Sequence, residues 1–562
     1  MDRHHRPEGV NPVDAPDSDQ ELGRDRPGSP PAPSGASPAR GARDAGAVVG
    51  PPALPGGADA RTGGYARDRV AGARRWLRTT PARVWLLTVV CLVSVAGLFG
   101  SATLTLNQAR EGLDVVGHGA GPQAMTTTDL YLALADMDAQ LADILLMGTD
   151  HDLGSGRDEA VERYEESRSR ANEALLQAAS LIEDNAEEGG AGEAATGEGR
   201  AEERSVQELD LQAVLDGMGE YEQLATDARL RNDEAQAPPG EVDATALVSY
   251  RQATRLMHTE LLPKAFNVSL DSSAIIRAHH EEGQSAVALG LVWVGSAGAV
   301  TLVSLVGLQL YLRVRFRRRV NVPVLAATAG TLLLTAGVVL ALVTSGEHQR
   351  DAKEEGLDAA MALSRAGAIS TDMQADQSRY LVDPTHADNY QQVYLERAQQ
   401  VLFRPADNLE DYYAAIDEVA AASSEQSEGG RADGDAPVAL GYLGENAGDS
   451  LLPGQEGALA DVLVSYNALQ DRDRELRAAV EAGDLDSAVA VRMEIAHAED
   501  GAFRAYEQAL DELTGQHKEA FTAGIARGDS ALAPWSWLLP VGALALLALV
   551  VLGVRPRLAE YR

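Results

Sequence analysis

The chain has 562 residues, 45% of them apolar and 5% aromatic, a length for about three or four average domains and a bias toward long helices over β-sandwiches. Its formal net charge of −36 excludes a nucleic-acid binder, which needs clustered Lys and Arg to displace phosphate counterions. The single cysteine, Cys91, excludes disulfide frameworks, Cys-ligated zinc and iron–sulfur clusters.

Twelve of the 24 prolines fall within the first 81 positions, mixed with Gly, Asp, Arg and Ser, and no apolar period survives there. Such a segment cannot bury enough surface to offset chain entropy, so residues 1–80 are expected to form a disordered cytoplasmic tail. An uncharged apolar stretch follows at Val84–Leu106, and three more lie at Ser285–Leu312, Val320–Ser345 and Ala533–Val554. Each is long enough to cross about 30 Å of hydrocarbon at about 1.5 Å per residue. The first follows more than eighty residues and runs on into a helical pattern, which reads as a retained anchor and not a cleaved signal.

Arginine placement orients these spans. Arg67, Arg69, Arg74, Arg75, Arg78 and Arg83 precede the first span; Arg313, Arg315, Arg317, Arg318 and Arg319 fill the turn 313–319; Arg555, Arg557 and Arg562 lie in the tail 555–562. Positive flanks stay inside, so both termini and the turn are expected in the cytoplasm, with 107–284 and 346–532 outside a plasma membrane. The outer segments carry 36 Asp and Glu against 13 Lys and Arg, and 37 against 14, which is −23 each.

In the first outer segment Leu130, Leu134, Met137, Leu141 and Ile144 form one apolar stripe at helical spacing, and Leu211, Val214, Leu215, Met218, Tyr221 and Leu224 form another. Breaks at Gly148–Gly156, Ala186–Glu203 and Ala237–Gly240 leave four helices, an antiparallel four-helix bundle expected to stand as a rod. Ser155 and Asp158 make a capping pair for the second helix. The second outer segment breaks at Asp383-Pro384, near 422–450 and near Gly483, with Asp383 expected as an N-cap.

Equal charge prompts a search for a repeat. Ala135-Asp136-Met137-Asp138-Ala139 aligns with Thr371-Asp372-Met373-Gln374-Ala375, and the same offset lays the first span on the third. Tyr221, Leu224 and Arg229 align with Tyr466, Leu469 and Arg474. The fold class expected is thus an all-α membrane protein, with four transmembrane helices and two duplicated extracytoplasmic four-helix bundles.

Signs of chemistry are sparse. His279-His280-Glu281-Glu282 is the densest candidate metal group, but neighbours on a helix point about 100° apart, so a solvated turn is the better reading. Asn267-Val268-Ser269 is a glycosylation sequon of the kind expected by chance. The spans hold no ionisable group, against transport; Gln309, Pro323 and Pro540 lie near span ends. No enzyme motif and no cofactor or metal site is found. Tyr221, Arg229, Tyr466 and Arg474 are candidate ligand or partner contacts, the alternative being core tyrosines with surface arginines. Arg313, Arg315, Arg317, Arg318 and Arg319 are candidate contacts for a cytoplasmic output partner or anionic lipid, although topology alone explains them.

Two spans bracketing an acidic, Ala-rich bundle resemble the four-helix sensor module of bacterial chemoreceptors and sensor kinases. The whole, four spans with two such modules and no output domain, resembles the GlnX-type membrane proteins of actinobacteria, over residues 80–562. That resemblance implies a non-enzymatic transmembrane signal transducer, taking a signal from an extracytoplasmic ligand or amino-acid-binding lipoprotein and relaying it to a cytoplasmic partner, a serine/threonine protein kinase. It carries no ligand residue over. Membrane lipids and a second copy of the chain, as a homo-oligomer, are further expected partners, and nucleic acid is not. The alternatives are a structural or scaffolding envelope protein and a regulatory subunit of a transporter.

Overall fold

A computed structural model describes residues 80–149, 156–189, 197–316, 321–427, 441–444 and 452–559. The expected tail before Thr80, the capping residue Ser155, and Arg317, Arg318 and Arg319 lie outside these. The protein is an all-α membrane protein, with no β-strand among the described residues.

Helix α1 (Thr80–Asp114) runs through a π-turn (Val115–Gly119) into α2 (Ala120–Met147), so the first span and first outer helix form one rod. Pro122 explains the π-turn: it cannot donate to the carbonyl four residues back, and its ring crowds that carbonyl. The chain returns through α3 (Arg157–Gly189) and α4 (Gly197–Glu234). It then descends through α5 (Ala244–Leu256), a π-turn (Met257–Leu261) and α6 (Leu262–Phe316), which reaches the membrane without a break. Pro263 sits just beyond this second π-turn. Asp243 caps α5, accepting from the Thr245 and Ala246 amides.

The second half repeats the opening. Helix α7 (Val322–Asp351) passes through a π-turn (Ala352–Asp358) into α8 (Ala359–Val382). A 3₁₀ turn (Pro384–His386) leads to α9 (Ala387–Val401), and α10 (Leu409–Ser427) follows. Pro405 accounts for the gap between α9 and α10, where the sequence pattern predicts no break. Helices α11 (Glu456–Glu481), α12 (Leu485–His497), α13 (Ala502–Leu532) and α14 (Trp535–Ala559) complete the chain. Asp383 does stand before Pro384, but its carboxylate goes to Arg251 on α5 through a bidentate pair at 2.7 and 2.8 Å.

Four helices are long and apolar enough to cross a membrane, one in each expected place. Their inward side chains form two clusters, one of Cys91, Val95, Leu305, Leu308, Ala327, Leu546 and Val550 and another that includes Leu98, Ala102, Val294, Val338 and Leu539. The outward side chains are equally apolar: Trp293, Val303, Leu333 and Leu544 are each at least 68% exposed, a surface suited to lipid and not to water. Small residues bring the helices close. A Cβ on Gly290 would lie 2.3 Å from Thr105 Cγ2, and Thr301 donates to the Ser94 carbonyl at 3.0 Å.

Outside the membrane the two segments do not stand apart as rods. Helices α2 and α8 pack on each other, and one apolar core runs through both segments, from Leu134, Met137 and Leu141 to Leu363, Met373 and Leu510. This also changes the reading of α2, expected to carry one apolar stripe on an acidic surface. Helix α2 is buried on nearly every face, because Ala133, Ala135, Ala139 and Ala142 let neighbours approach from all sides. Two carboxylates, Asp138 and Asp143, are enclosed with them.

Candidate functional site

Enclosing a carboxylate costs several kcal/mol unless a cation and hydrogen bonds meet it, so the partners of Asp138 and Asp143 define the centre of the outer domain. Both aspartates belong to the first segment, and their cationic partners come mainly from the second. Asp138 pairs with Arg379 of α8 and accepts from Tyr221 at 3.0 Å and Thr254 at 3.2 Å. Arg379 also donates to Asp376 at 2.6 Å; Asp376 pairs with Arg397 of α9, and Arg397 reaches Asp372 at 3.7 Å. Charges alternate along this row, so each cation lies between two anions. His258, in the second π-turn, stands beside it, with Nε2 3.0 Å from Arg379 and Nδ1 3.4 Å from Arg397.

Asp143, more than one helical turn farther from the membrane, anchors a second cluster. Arg492 of α12 donates to its oxygens at 2.9 and 3.1 Å, and to the Gln374 carbonyl at 3.1 Å. Ser378 donates to Asp143 and accepts from Arg492 Nε at 2.8 Å. His497 Nε2 lies 3.1 Å from Asp143, while Arg163 of the first segment approaches its Nδ1 at 3.0 Å. Arginine only donates, so His497 Nδ1 accepts and Nε2–H points at Asp143. Burial by itself pushes the Asp138 and Asp143 carboxyls up, but Arg379 with His258, and Arg492 with His497 and Ser378, bring both below the usual carboxylate range.

A third enclosed pair lies within the second segment. Arg477 donates to Asp473 at 2.7 Å, stacked between the Tyr380 and Tyr394 rings at 4.9 and 4.8 Å.

Near the membrane the segments meet again. Phe521 of α13 packs against the start of α2, just past the first π-turn, and against the third π-turn: a Cβ on Gly121 would lie 2.9 Å from its ring, and one on Gly356 would lie 2.7 Å from its Cα. His517, one turn along, donates from Nδ1 to the Glu355 carbonyl of the third π-turn at 2.5 Å. Gln349 donates to the Gly112 carbonyl at 3.0 Å, and Arg110 to that of Leu532 at 2.8 Å. The helices that continue into the spans are thus coupled just above the bilayer.

The residues singled out by sequence lie near these clusters without forming a common site. Tyr221 and Tyr466 are fully buried: the first serves Asp138, and the second lies 3.1 Å from the Tyr412 hydroxyl. Burial and the Asp138 charge push the Tyr221 phenol well up, which fixes it as a donor. Arg229 lies over the Tyr164 ring at 5.7 Å and Arg474 over Tyr413 at 4.9 Å, the same contact in both segments. Arg474 also reaches Asp471, Glu410 and Asp417. Arg313 is exposed at the end of α6, and Arg315 lies in that helix. His279, His280, Glu281 and Glu282 lie in the same helix, and no metal-binding group occurs among the described residues.

Arg379, Arg397 and Arg492 carry no signal of their own in the sequence. Asp136, Asp138 and Asp372 lie in the repeated motif and were the available signal: Asp136 faces Arg170 at 2.8 Å as Asp372 faces Arg397. An aspartate inside an apolar stripe, as Asp138 is between Leu134 and Leu141, asks for a buried cation.

An all-α body whose span helices extend into one packed domain is the architecture of a multi-pass membrane protein. Residues 112–281, from the end of α1 to the part of α6 before its apolar stretch, match the family model of an actinobacterial sensor domain. The chain matches no curated protein and no solved structure. The matched region is the first outer segment, which supplies Asp138 and Asp143.

Proposed function

We propose that the protein is a non-enzymatic transmembrane signal transducer. An extracytoplasmic ligand or a loaded amino-acid-binding lipoprotein shifts the packing between the two outer segments, and a cytoplasmic partner, of the serine/threonine kinase type, reads the rearranged helix ends. The arginine flanks carry the assignment of both termini and the 313–319 turn to the cytoplasm of a plasma-membrane protein.

One observation carries this reading: Ala82–Met147, Ala244–Val314 and Val322–Val382 each run as one helix of 61 to 71 residues from the charged clusters down through a span. A displacement of an ångström or two at the Asp138–Arg379 contact is transmitted along such a rod instead of being absorbed by a loop. Packed interfaces favour discrete arrangements over continuous deformation, which suits a two-state output.

Affinity capture from membranes with and without added amino acids tests it, paired with cytoplasmic phosphorylation profiles of wild-type and deletion strains. A partner whose recovery changes with ligand, and a phosphorylation change on deletion, are expected. Equal recovery under both conditions with an unchanged profile overturns the reading. Reporter fusions that place 107–284 in the cytoplasm would overturn the orientation.

A further inference from the structure

Between the membrane and the charged clusters, roughly 30 Å beyond Leu106 along the helix, lies a cavity of about 190 Å³. Thr128 and Tyr131 of α2, Phe266 and Ser269 of α6, and Arg365 and Ile369 of α8 line it. Each of these three helices continues into a different span. Gln400 and Tyr442 complete its lining. The backbone of 441–444 clips onto the end of α9 there, Tyr442 and Leu443 donating to the Gln400 and Val401 carbonyls at 3.2 and 2.9 Å.

Arg365 supplies the charge. Its guanidinium lies over the Phe266 ring at 5.4 Å, and its Nε and Nη2 are enclosed without a hydrogen-bond partner among the described residues. Arg379, Arg397, Arg477 and Arg492 all face aspartates; Arg365 faces none among the described residues. Nε and Nη2 form the guanidinium edge that takes a carboxylate through two parallel bonds. Arg251 uses that same edge on Asp383. In Arg365 it is left unfilled beside a cavity.

We infer that this cavity binds a small monocarboxylate of amino-acid size, its carboxylate held by Arg365 and its apolar body against Tyr131, Phe266 and Ile369. The inference rests on the sensor reading and names the chemistry of its ligand. A volume of about 190 Å³ suits one small molecule. A second negative charge fits poorly: the Asp372 charge already acts on Tyr131, and each outer segment carries −23. Among the acidic surroundings, Arg365 gives one anion a local partner that the overall field denies it. Tyr131 also joins the cavity to the charged row, since Asp372 is the end of the chain Arg397, Asp376, Arg379, Asp138. Occupancy of the cavity therefore bears directly on the contact between the two segments.

The test uses the full chain in lipid nanodiscs, titrated with L-leucine, L-phenylalanine, isovalerate and benzoate, with leucinamide, L-glutamate and phosphate as contrasts. Saturable binding of at least one monocarboxylate is expected, with little or none of leucinamide or phosphate and weaker binding of glutamate. Arg365→Gln should weaken it about 10- to 100-fold, the scale of a charge-assisted pair, and Arg365→Lys, which keeps the charge and loses the fork, should weaken it less. Without ligand, Arg365→Gln should unfold at about the same temperature as wild type or higher, because it removes a half-buried cation that has no acidic partner among the described residues. Absence of saturable binding by all four monocarboxylates, unchanged binding in Arg365→Gln, or a lowered unfolding temperature in that variant without ligand overturns the inference. Binding that leaves partner recovery unchanged would support the site and count against the relay; relay without binding would do the reverse.

Discussion

Asp143 and Arg492 lie 349 positions apart in the chain, yet the Arg492 guanidinium donates to both oxygens of the Asp143 carboxylate and neither side chain reaches solvent. One belongs to the first outer segment and the other to the second. Breaking such a pair strands a charge in the core, whereas replacing both members with apolar groups of similar size is often tolerated.

Asp143→Ala should therefore destabilise the protein by about 3–5 kcal/mol, and the double variant Asp143→Leu with Arg492→Met should recover most of that loss. Thermal unfolding in nanodiscs measures both. A double variant no more stable than the worse single one would show that the contact is not an isolated pair, with Ser378 and His497 holding it in place.

Stability should fall on acidification, in a defined window. Burial pushes the Asp383 carboxyl up, but the bidentate bonds from Arg251, with Thr385 and His386, outweigh it and hold the group down to about 2. An unfolded aspartate titrates near 3.9. The stabilisation is thus complete above about pH 4 and lost as pH falls toward 2, on the order of 1–2 kcal/mol once the partly exposed Arg251 is discounted. Asp138 and Asp143 act in the same direction. Arg251→Gln should flatten the dependence of unfolding temperature on pH between about 4 and 2; an unchanged slope would assign it to other carboxylates.

The juxtamembrane contact should tolerate no extra carbon. A Cβ on Gly356 would lie 2.7 Å from the Phe521 backbone, whereas one on Gly346 meets nothing within 4 Å. Gly356→Ala should cost about 1–3 kcal/mol by pushing α13 off the π-turn. Gly346→Ala should be neutral or stabilise by up to about 1 kcal/mol through its helix propensity. Equal unfolding temperatures for the two variants would place Phe521 away from the turn.

Tyr221→Phe should cost about 1–2 kcal/mol by removing one donor to the enclosed Asp138 carboxylate while Thr254 remains. Arg229→Ala should change stability by less than about 1 kcal/mol, since its contact is one edge-exposed stack on Tyr164. Carboxylate binding measured on both variants should match wild type, because neither residue lines the cavity. Loss of binding in Arg229→Ala would return that residue to the candidate contacts.

The amino-acid sequence by itself determined the helical class, the four apolar helices and most helix ends, because each depends on local quantities. Apolar runs without charge, the 3.6-residue period and breakers such as Pro384 act over one or two turns, and they can be read without knowing what packs on them. It also marked Asp136, Asp138 and Asp372 through the repeated motif.

What only the tertiary structure decided is which surfaces face each other. The stripe on α2 announces one buried face, and alanine is equally compatible with a wet surface or a tight contact, so the packing of α2 on α8 left no local trace. Arg379, Arg492 and Arg365 look like any surface arginine in the sequence, since a charge becomes significant only when burial takes its water away. That cost depends on neighbours about a hundred or more positions distant, and the Asp138–Arg379, Asp143–Arg492 and Arg365–Phe266 contacts exist because the fold brings them together.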